Sequence, residues 1–359
     1  MNLKQYYSYE DKLHQAEITT SKFSYDGDYF ATGNDIGQIQ IFPVQRQDSL
    51  LPRSFISPLL TFSPSVKPIR SVDFINETRF NPLLLTATSD EIKLFMVEQN
   101  ENIKWDFRSN RTQNDLPAVS RKRISFSDKL ISSYKYEKMS KIINAKFRND
   151  GSFLVTSSEN VMLFDTIDEN DHLQLIKQNG IRCSDVNKVF QELFVVGFDN
   201  GSFSVYDLRQ QPTNLSSSLL NMEKGSPITS IEFALNGTFI GVRYFDEVLI
   251  YDLRTSENCL NKYIIKTHKN NAEFIKINGL ENDYFGIKFI DKSRIAFGMY
   301  SSQFLVWDYE DNIISKHQIH KNNHVEYNSI CRSIDFHPIH DLISVTYDNS
   351  VNFFTVDES

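Results

Sequence analysis

The chain has 359 residues, 40% of them hydrophobic and 13% aromatic, with 28 Phe, which is ample material for a large packed interior. No apolar run approaches the roughly 18 residues of a membrane-spanning helix, and the opening MNLKQYYSYEDK is too polar for a secretory signal. Net charge is −8, from 38 basic and 46 acidic residues, but residues 97–148 hold 12 Lys/Arg against 6 Asp/Glu, so that stretch is +6 and the remainder −14. An acidic body argues against binding a phosphate backbone as the main activity and favours basic partners. Cys183, Cys259 and Cys331 are odd in number and far apart, with no CxxC and no paired His. They are expected to be reduced thiols of a cytoplasmic, or also nuclear, protein, with no metal site and no cofactor.

Residues from about Tyr6 to His14 precede the first repeated unit and are expected to supply the outer strand of the last blade of a closed ring. EITTSKFSYDGDYFATGNDIGQIQIF then reads as three short strands, core 16–42, turning at Asp26-Gly27 and Asp35-Ile36-Gly37, because Asp-Gly supplies the φ > 0 of a tight turn. Connection 43–68 carries Pro43, Pro52, Pro58, Pro64 and Pro68, which forbid a helix interior and predict an extended excursion. The second core, 69–96, leads into connection 97–140. There ENIKWDFRSNRTQNDLPAVSRKR mixes charge and Asn with little periodicity and predicts a solvated loop. Arg121-Lys122-Arg123 belongs to that loop, since three basic residues are weak evidence for a nuclear address. Trp105 and Phe107 would dock it on the ring or meet a partner.

Cores 141–165 and 181–207 follow through SFLVTSSENVMLFD and LFVVGFDNGSFSVYDLR. A polar linker, QQPTNLSSSLLNMEKGSP, leads to the clearest unit, 228–252, in which ITSIEF, a turn at Asn236-Gly237, TFIGV and VLIYDL alternate strand and turn. Connection 253–283 has enough apolar residues to be packed, and cores 284–308 and 330–355 complete the chain.

The regularity of these units decides the fold class. The hydrophobic residue closing the first strand and the aromatic near the end of the third form the pairs Phe23/Phe42, Phe74/Phe95, Phe147/Phe164, Val186/Tyr206, Phe233/Tyr251, Phe289/Trp307 and Phe336/Phe354. Their separations are 19, 21, 17, 20, 18, 18 and 18 residues, whereas successive aromatics stand 42 to 69 residues apart. A constant core with elastic connections is what a propeller requires and a β-sandwich does not. The chain is therefore expected to be one all-β domain, a seven-bladed WD40-like β-propeller closed by its N-terminal strand. Aromatic-Asp stands at Tyr206-Asp207, Tyr251-Asp252 and Trp307-Asp308, as WD40 blades require, while their Gly-His dipeptide is missing.

No catalytic motif stands out. There is no G-x-S-x-G, Walker sequence, G-x-G-x-x-G or H-E-x-x-H. His317 and His320 are three apart with no ligand set nearby, and Asp165, Asp168, Glu169 and Asp171 follow a third strand, where solvated turn residues are the default. A binding platform rather than an enzyme is the expected class.

Taken together, the blade sequences resemble one propeller family, the WD40-type regulatory B subunit of protein phosphatase 2A. AEITTSKFSYDGDYFATGNDIGQIQIF is similar to its first blade, and GSFSVYDLR to the G-T-I-R-L-C-D-M-R of its fourth. Arg243 matches an Arg before the third strand of blade five. The excursion after that blade carries Tyr263, His268 and Leu280-Glu281-Asn282-Asp283, similar to the family's Tyr…His…Y-E-N-D, and Gly298-Met299-Tyr300 precedes Phe304 as in its G-S-Y-N-N-F-F. The resemblance implies a non-catalytic subunit that binds a helical-repeat scaffold subunit and the catalytic subunit. It also implies an acidic groove on the top face that recruits phosphoprotein substrates with basic stretches. Glu17 is carried over as a groove residue, and Arg243, Glu281, Asp283 and Tyr300 as further partner-binding residues. Two departures stand out: Ser157-Ser158-Glu159-Asn160 replaces paired Asp and Leu in blade three, and 43–68, where the scaffold-gripping arm is expected, is short, proline-rich and without Glu. Tyr206-Asp207-Leu208-Arg209 and Tyr251-Asp252-Leu253-Arg254 support a rival class, since they resemble the aromatic-Asp-x-Arg box of substrate receptors of cullin-type ubiquitin ligases.

Overall fold

The residues whose spacing marks each repeat lie on one cross-strand row of a single sheet. Phe23 faces Phe30, and Phe30 faces Phe42. The same row reads Phe147–Phe153–Phe164 in the third sheet and Phe233–Ile240–Tyr251 in the fifth. Opposed residues of an antiparallel pair pack on one another, so the two turns fix the offset and the row demands large apolar groups. Gly27 and Gly237 sit in those turns at φ 75° and 71°, conformations that a side chain would strain.

The computed structural model describes residues 2–10, 16–44, 58–75, 81–104, 121–135, 141–166, 172–210, 226–255, 259–265, 285–299, 303–319, 331–339 and 341–357, and their regular elements are all strands. They form seven antiparallel sheets arranged as a seven-bladed propeller, six of four strands and the fourth of three among the described residues. The inner strands, one per blade in chain order, are Ile18–Phe23, Ser71–Phe74, Ile142–Phe147, Ile181–Val186, Ile228–Phe233, Ile287–Phe289 and Cys331–Phe336.

There is no single core. Each of seven hydrophobic clusters fills one seam between neighbouring blades: Leu85, Ile92 and Phe153 share one, and Phe203, Val242 and Tyr251 another. Second strands such as Leu83–Ala87 and Phe153–Ser157 are therefore buried on both faces and read as continuous apolar runs. Stability is distributed around the ring as nearest-neighbour terms.

The seam between blades seven and one joins the two ends of the chain. Asn2–Glu10 lies antiparallel to Ser350–Asp357 as the outer strand of blade seven, with Asn2 opposite Asp357 and Glu10 opposite Ser350. This strand starts about four residues earlier than the Tyr6 to His14 expected, and 11–15 lie outside the described residues. Along the inner strands, the Ile18 N–H donates to the Asp348 carbonyl at 2.5 Å, and the Ser21 N–H to Ser333 Oγ at 3.2 Å. His337 Nε2 reaches the Gly27 carbonyl at 3.0 Å while its Nδ1 accepts the Ile339 N–H at 3.1 Å, which fixes a neutral tautomer. Phe353 packs edge-on against Phe23 and Phe30.

One expectation about the connections is corrected. Much of 97–140 is not a loop. Ile92–Lys104 pairs with Arg121–Tyr134 in unbroken register from Phe95↔Leu130 to Lys104↔Arg121. The blade's second strand ends its pairing at Leu83↔Met96, so Glu98–Lys104 and 121–127 project beyond the sheet as a two-stranded arm, about 24 Å long at roughly 3.4 Å per residue. Near the base of this ribbon, Phe126 packs against the apolar cluster between blades one and two. This ribbon thus leaves from blade two, while in 43–68 Leu60–Phe62 forms the outer strand of blade one and 45–57, on which the arm expected there falls, lie outside the described residues. In 253–283, Cys259–Ile264 is the outer strand of blade five, and Trp105, Phe107 and His268 lie outside the described residues.

Candidate functional site: the central channel and its acidic rim

Five inner strands shift register at the same place, between Ile18 and Thr20, Ile142 and Asn144, Ile181 and Cys183, Ile228 and Ser230, and Cys331 and Ser333. A bulge re-aims the extra residue, and Thr19, Ile143 and Arg332 thereby line the central cavity. This cavity has a volume of about 450 Å³ and opens where the inner strands begin. Glu17, Asp35 and Arg70 stand at its mouth, with Thr20, Ser184, Ser230 and Ser333 on the walls. The Arg332 Nε donates to Glu17 Oε1 at 2.5 Å, tying blade seven to blade one across the opening.

Deeper in the channel lies a ring that the sequence reading missed. The residue immediately before the closing hydrophobic of each inner strand is charged in all seven blades: Lys22, Asp73, Lys146, Asp185, Glu232, Lys288 and Asp335. Each carboxylate accepts the closing residue's backbone N–H from the next blade, Asp73 from Phe147 at 2.8 Å, Asp185 from Phe233 at 2.8 Å, Glu232 from Phe289 at 3.2 Å and Asp335 from Phe23 at 2.8 Å. The lysines pair with neighbouring acids, Lys146 with Asp185 at 2.6 Å and Lys22 with Asp335 at 3.1 Å, while Lys288 bridges Glu232 and Asp335. Lys22 and Lys146 each keep 31% of their side-chain surface on the channel even though protein surrounds them. Burial pushes the Asp185 and Asp335 carboxyls up, but the adjacent ammonium groups and accepted N–H outweigh it and hold both below the ordinary aspartate range. For Glu232 burial wins, and its carboxyl lies above the ordinary range despite Lys288. The signal was available: a charged residue before the closing hydrophobic recurs seven times.

Around the mouth, the turn between the second and third strands carries an acid in six blades. These are Asp35, Asp90, Glu159, Asp199, Asp246 and Asp348, and the first five are exposed. Lys67 neutralises Asp90 at 2.7 Å and draws its carboxyl below the ordinary range. Ser157 and Ser158, which stand where the resemblance expects an acid pair, are buried and half-buried, while the neighbouring Glu159 belongs to the exposed rim.

Of the residues carried over from the sequence, Glu17 lies at the mouth with its carboxylate held by Arg332. Arg243 is elsewhere. It is 1% exposed, its guanidinium donates to the Phe245 carbonyl at 3.1 Å and the Gly298 carbonyl at 3.4 Å, and it stacks over Phe285 and Phe297. It bonds blade five to blade six and leaves no surface for a partner. Glu281, Asp283 and Tyr300 lie outside the described residues, as does His320. His317 stacks on Phe304 at 5.1 Å, and burial pushes its pKa down to about 4. Burial also pushes the Cys183 thiol up to about 12 and raises that of Cys331, so neither is a nucleophile at neutral pH. Among the described residues, no three His, Cys, Asp or Glu are grouped to hold a metal ion.

No protein-family model matches the chain, and no curated protein matches it. Of the solved structures, 1431 chains match, which marks the architecture as one that many proteins reuse and leaves the work of the chain to be argued from its surfaces. One of them is Raptor from Chaetomium thermophilum, similar with a TM-score of 0.71 at 13% identity over 99% of this chain. The chain spans 29% of that protein's length. The likeness establishes the fold, a WD40-like β-propeller.

Proposed function

We propose that the chain is a non-catalytic regulatory subunit of a protein serine/threonine phosphatase 2A holoenzyme. In this reading it binds the helical-repeat scaffold subunit and the catalytic subunit and recruits substrates at the channel mouth. The observation that carries the proposal is the division of labour between two faces. The mouth is ringed by the carboxylates of Asp35, Glu159, Asp199 and Asp246, a field that attracts basic segments. The third strand of blade two runs away from the mouth, so the projecting arm leaves on the opposite face. An arm reaching about 24 Å beyond its sheet at roughly 3.4 Å per residue packs on the ring at its base, where Phe126 meets the seam between blades one and two, and the resemblance to phosphatase B subunits implies a scaffold-gripping arm.

The test replaces residues 100–125 by a two-residue turn between Gln99 and Phe126, which keeps the Phe126 contact with the seam. The expected result is loss of the scaffold and catalytic subunits from affinity-purified material, with an unchanged melting temperature. Full recovery of both subunits would remove the arm from the account. In parallel, Glu17→Lys combined with Glu281→Lys should weaken capture of phosphopeptides flanked by Lys and Arg, and equal capture would remove the groove assignment.

A further inference from the structure

Blades four and five end their third strands in the same way. Asp207 accepts the Arg209 backbone N–H at 3.0 Å and the Arg209 Nε at 2.9 Å, with Nη2 completing a bidentate clamp. Asp252 holds Arg254 identically, through its N–H and Nε at 2.9 Å and its Nη2 at 2.7 Å. In both pairs the acid is behind and the base in front: the arginines expose 73% and 66% of their side chains, the aspartates 17% and 8%. Each clamp therefore turns its positive end to solvent, with the Nη1 edge of the guanidinium uncommitted to the aspartate. The Arg254 guanidinium also lies 5.7 Å from the centre of the Phe239 ring, which fixes its orientation.

Between the two arginines is a cavity of about 330 Å³ whose apolar walls are Phe190, Leu193, Val205 and Leu253. Phe190 is 47% exposed, and the adjoining Val189 and Leu235 are 50% and 57% exposed. The Gly237 turn presses against Val189 and Phe190, so a Cβ there would stand 2.8 Å from Val189 and 3.1 Å from Phe190. The exposed apolar surface of blade four is thus continuous with that of blade five. This face lies opposite the channel mouth, where the first-to-second strand turns gather. An apolar hollow opening onto exposed aromatic and aliphatic side chains, flanked by two oriented cations, has the form of a recognition site.

We infer that this inter-blade hollow binds a partner segment in which an aliphatic or aromatic side chain stands next to carboxylates. The apolar side chain enters between Phe190, Val205 and Leu253, and the flanking carboxylates accept from the outward edges of Arg209 and Arg254. Charge complementarity selects this occupant: a basic segment would meet the outward ends of two guanidinium groups, and a purely apolar one would desolvate their outward N–H groups without supplying an acceptor. The site is separate from the channel mouth and from the arm, and stands whether or not the phosphatase reading does.

The test is selection of a random twelve-residue peptide-display library on the full chain. Counter-screens use an Arg209→Ala/Arg254→Ala variant and a Phe190→Ser variant, each first shown to melt like the parent. The expected sequences combine Asp or Glu with Leu, Ile, Phe or Trp. Synthetic peptides of those sequences should bind at least about tenfold more weakly to either variant, as the loss of a charge-assisted bidentate contact implies. Binding should also weaken steeply with added salt. Enriched peptides without acids, peptides that bind both variants as well as the parent, or no enrichment at all would each overturn the assignment. An Arg209→Lys/Arg254→Lys variant separates net charge from fork geometry, and it should recover only part of the affinity.

Discussion

Asp335 is the most consequential single residue of the ring. It accepts the Phe23 N–H, pairs with Lys22 and shares Lys288 with Glu232, all at the seam that joins the chain's ends. Its depressed pKa means that the fold selects the ionised form. Asp335→Asn should therefore cost about 3 kcal/mol in urea unfolding, the usual cost of breaking a buried pair from one side. Glu232→Gln, at a site where burial opposes the carboxylate charge more than its Lys288 partner favours it, should cost less than that. The reverse order would show that burial does not oppose the Glu232 charge more than that of Asp335. The thiols give an independent check of burial. Iodoacetamide at pH 7.5 should alkylate half-buried Cys259 first, and modification of Cys183 or Cys331 in the folded chain would contradict their placement. At this scale the sequence was only partly informative. Glu17 lies at the mouth, paired with Arg332, whereas Arg243 is interior, because a matched motif position says nothing about which way a side chain points. The charged ring went unread because each member is one residue in a short strand that already mixes polar and apolar groups, and only superposing the repeats exposes it.

Strands were the most legible level. The aromatic offset worked because it measures two turns and two strands of one sheet, local quantities that packing cannot alter without changing the register. Outer strands were less legible, since Leu60–Phe62, Cys259–Ile264 and Ile313–Gln318 pack on one side only and sit in connections of variable length. The arm was missed for a related reason: a two-stranded ribbon outside the ring shows no buried alternation in its sequence. The strand Asn2–Glu10 carries a direct prediction. Deleting residues 2–10 exposes the whole edge of Ser350–Asp357 and removes its pairing partner. The melting temperature should fall by several degrees and the truncated chain should self-associate; an unchanged melt and a monomeric sedimentation profile would deny that strand any part in stability.

The whole ring is held by seven seams of similar build, each an apolar cluster with polar bonds at its inner edge, so its response to pH is set by the channel charges. The carboxyls of Asp185 and Asp335 are depressed in the folded state, so the stability they contribute is present above the ordinary aspartate value of about 3.9 and is lost as pH falls through their lower folded values. Glu232 runs the other way and gains as its raised pKa is crossed, but it is one group against two. Lys146 and Lys288, raised by the carboxylates despite burial, keep their contribution until pH passes the ordinary lysine value of about 10.4. Melting temperature should therefore be nearly flat from pH 5 to 8 and fall below about pH 4; a maximum in acid would mean that the channel carboxylates are neutral in the folded protein.

Architecture was the part of the molecule most fully written in the sequence, whereas its work depends on which surfaces meet which partners. That is tested most directly by affinity purification of the intact chain from its native cell, with the stoichiometric partners identified by mass spectrometry. The account predicts a helical-repeat scaffold together with a metallophosphatase catalytic chain. Recovery of a ubiquitin-ligase adaptor instead, or of no phosphatase, would contradict it.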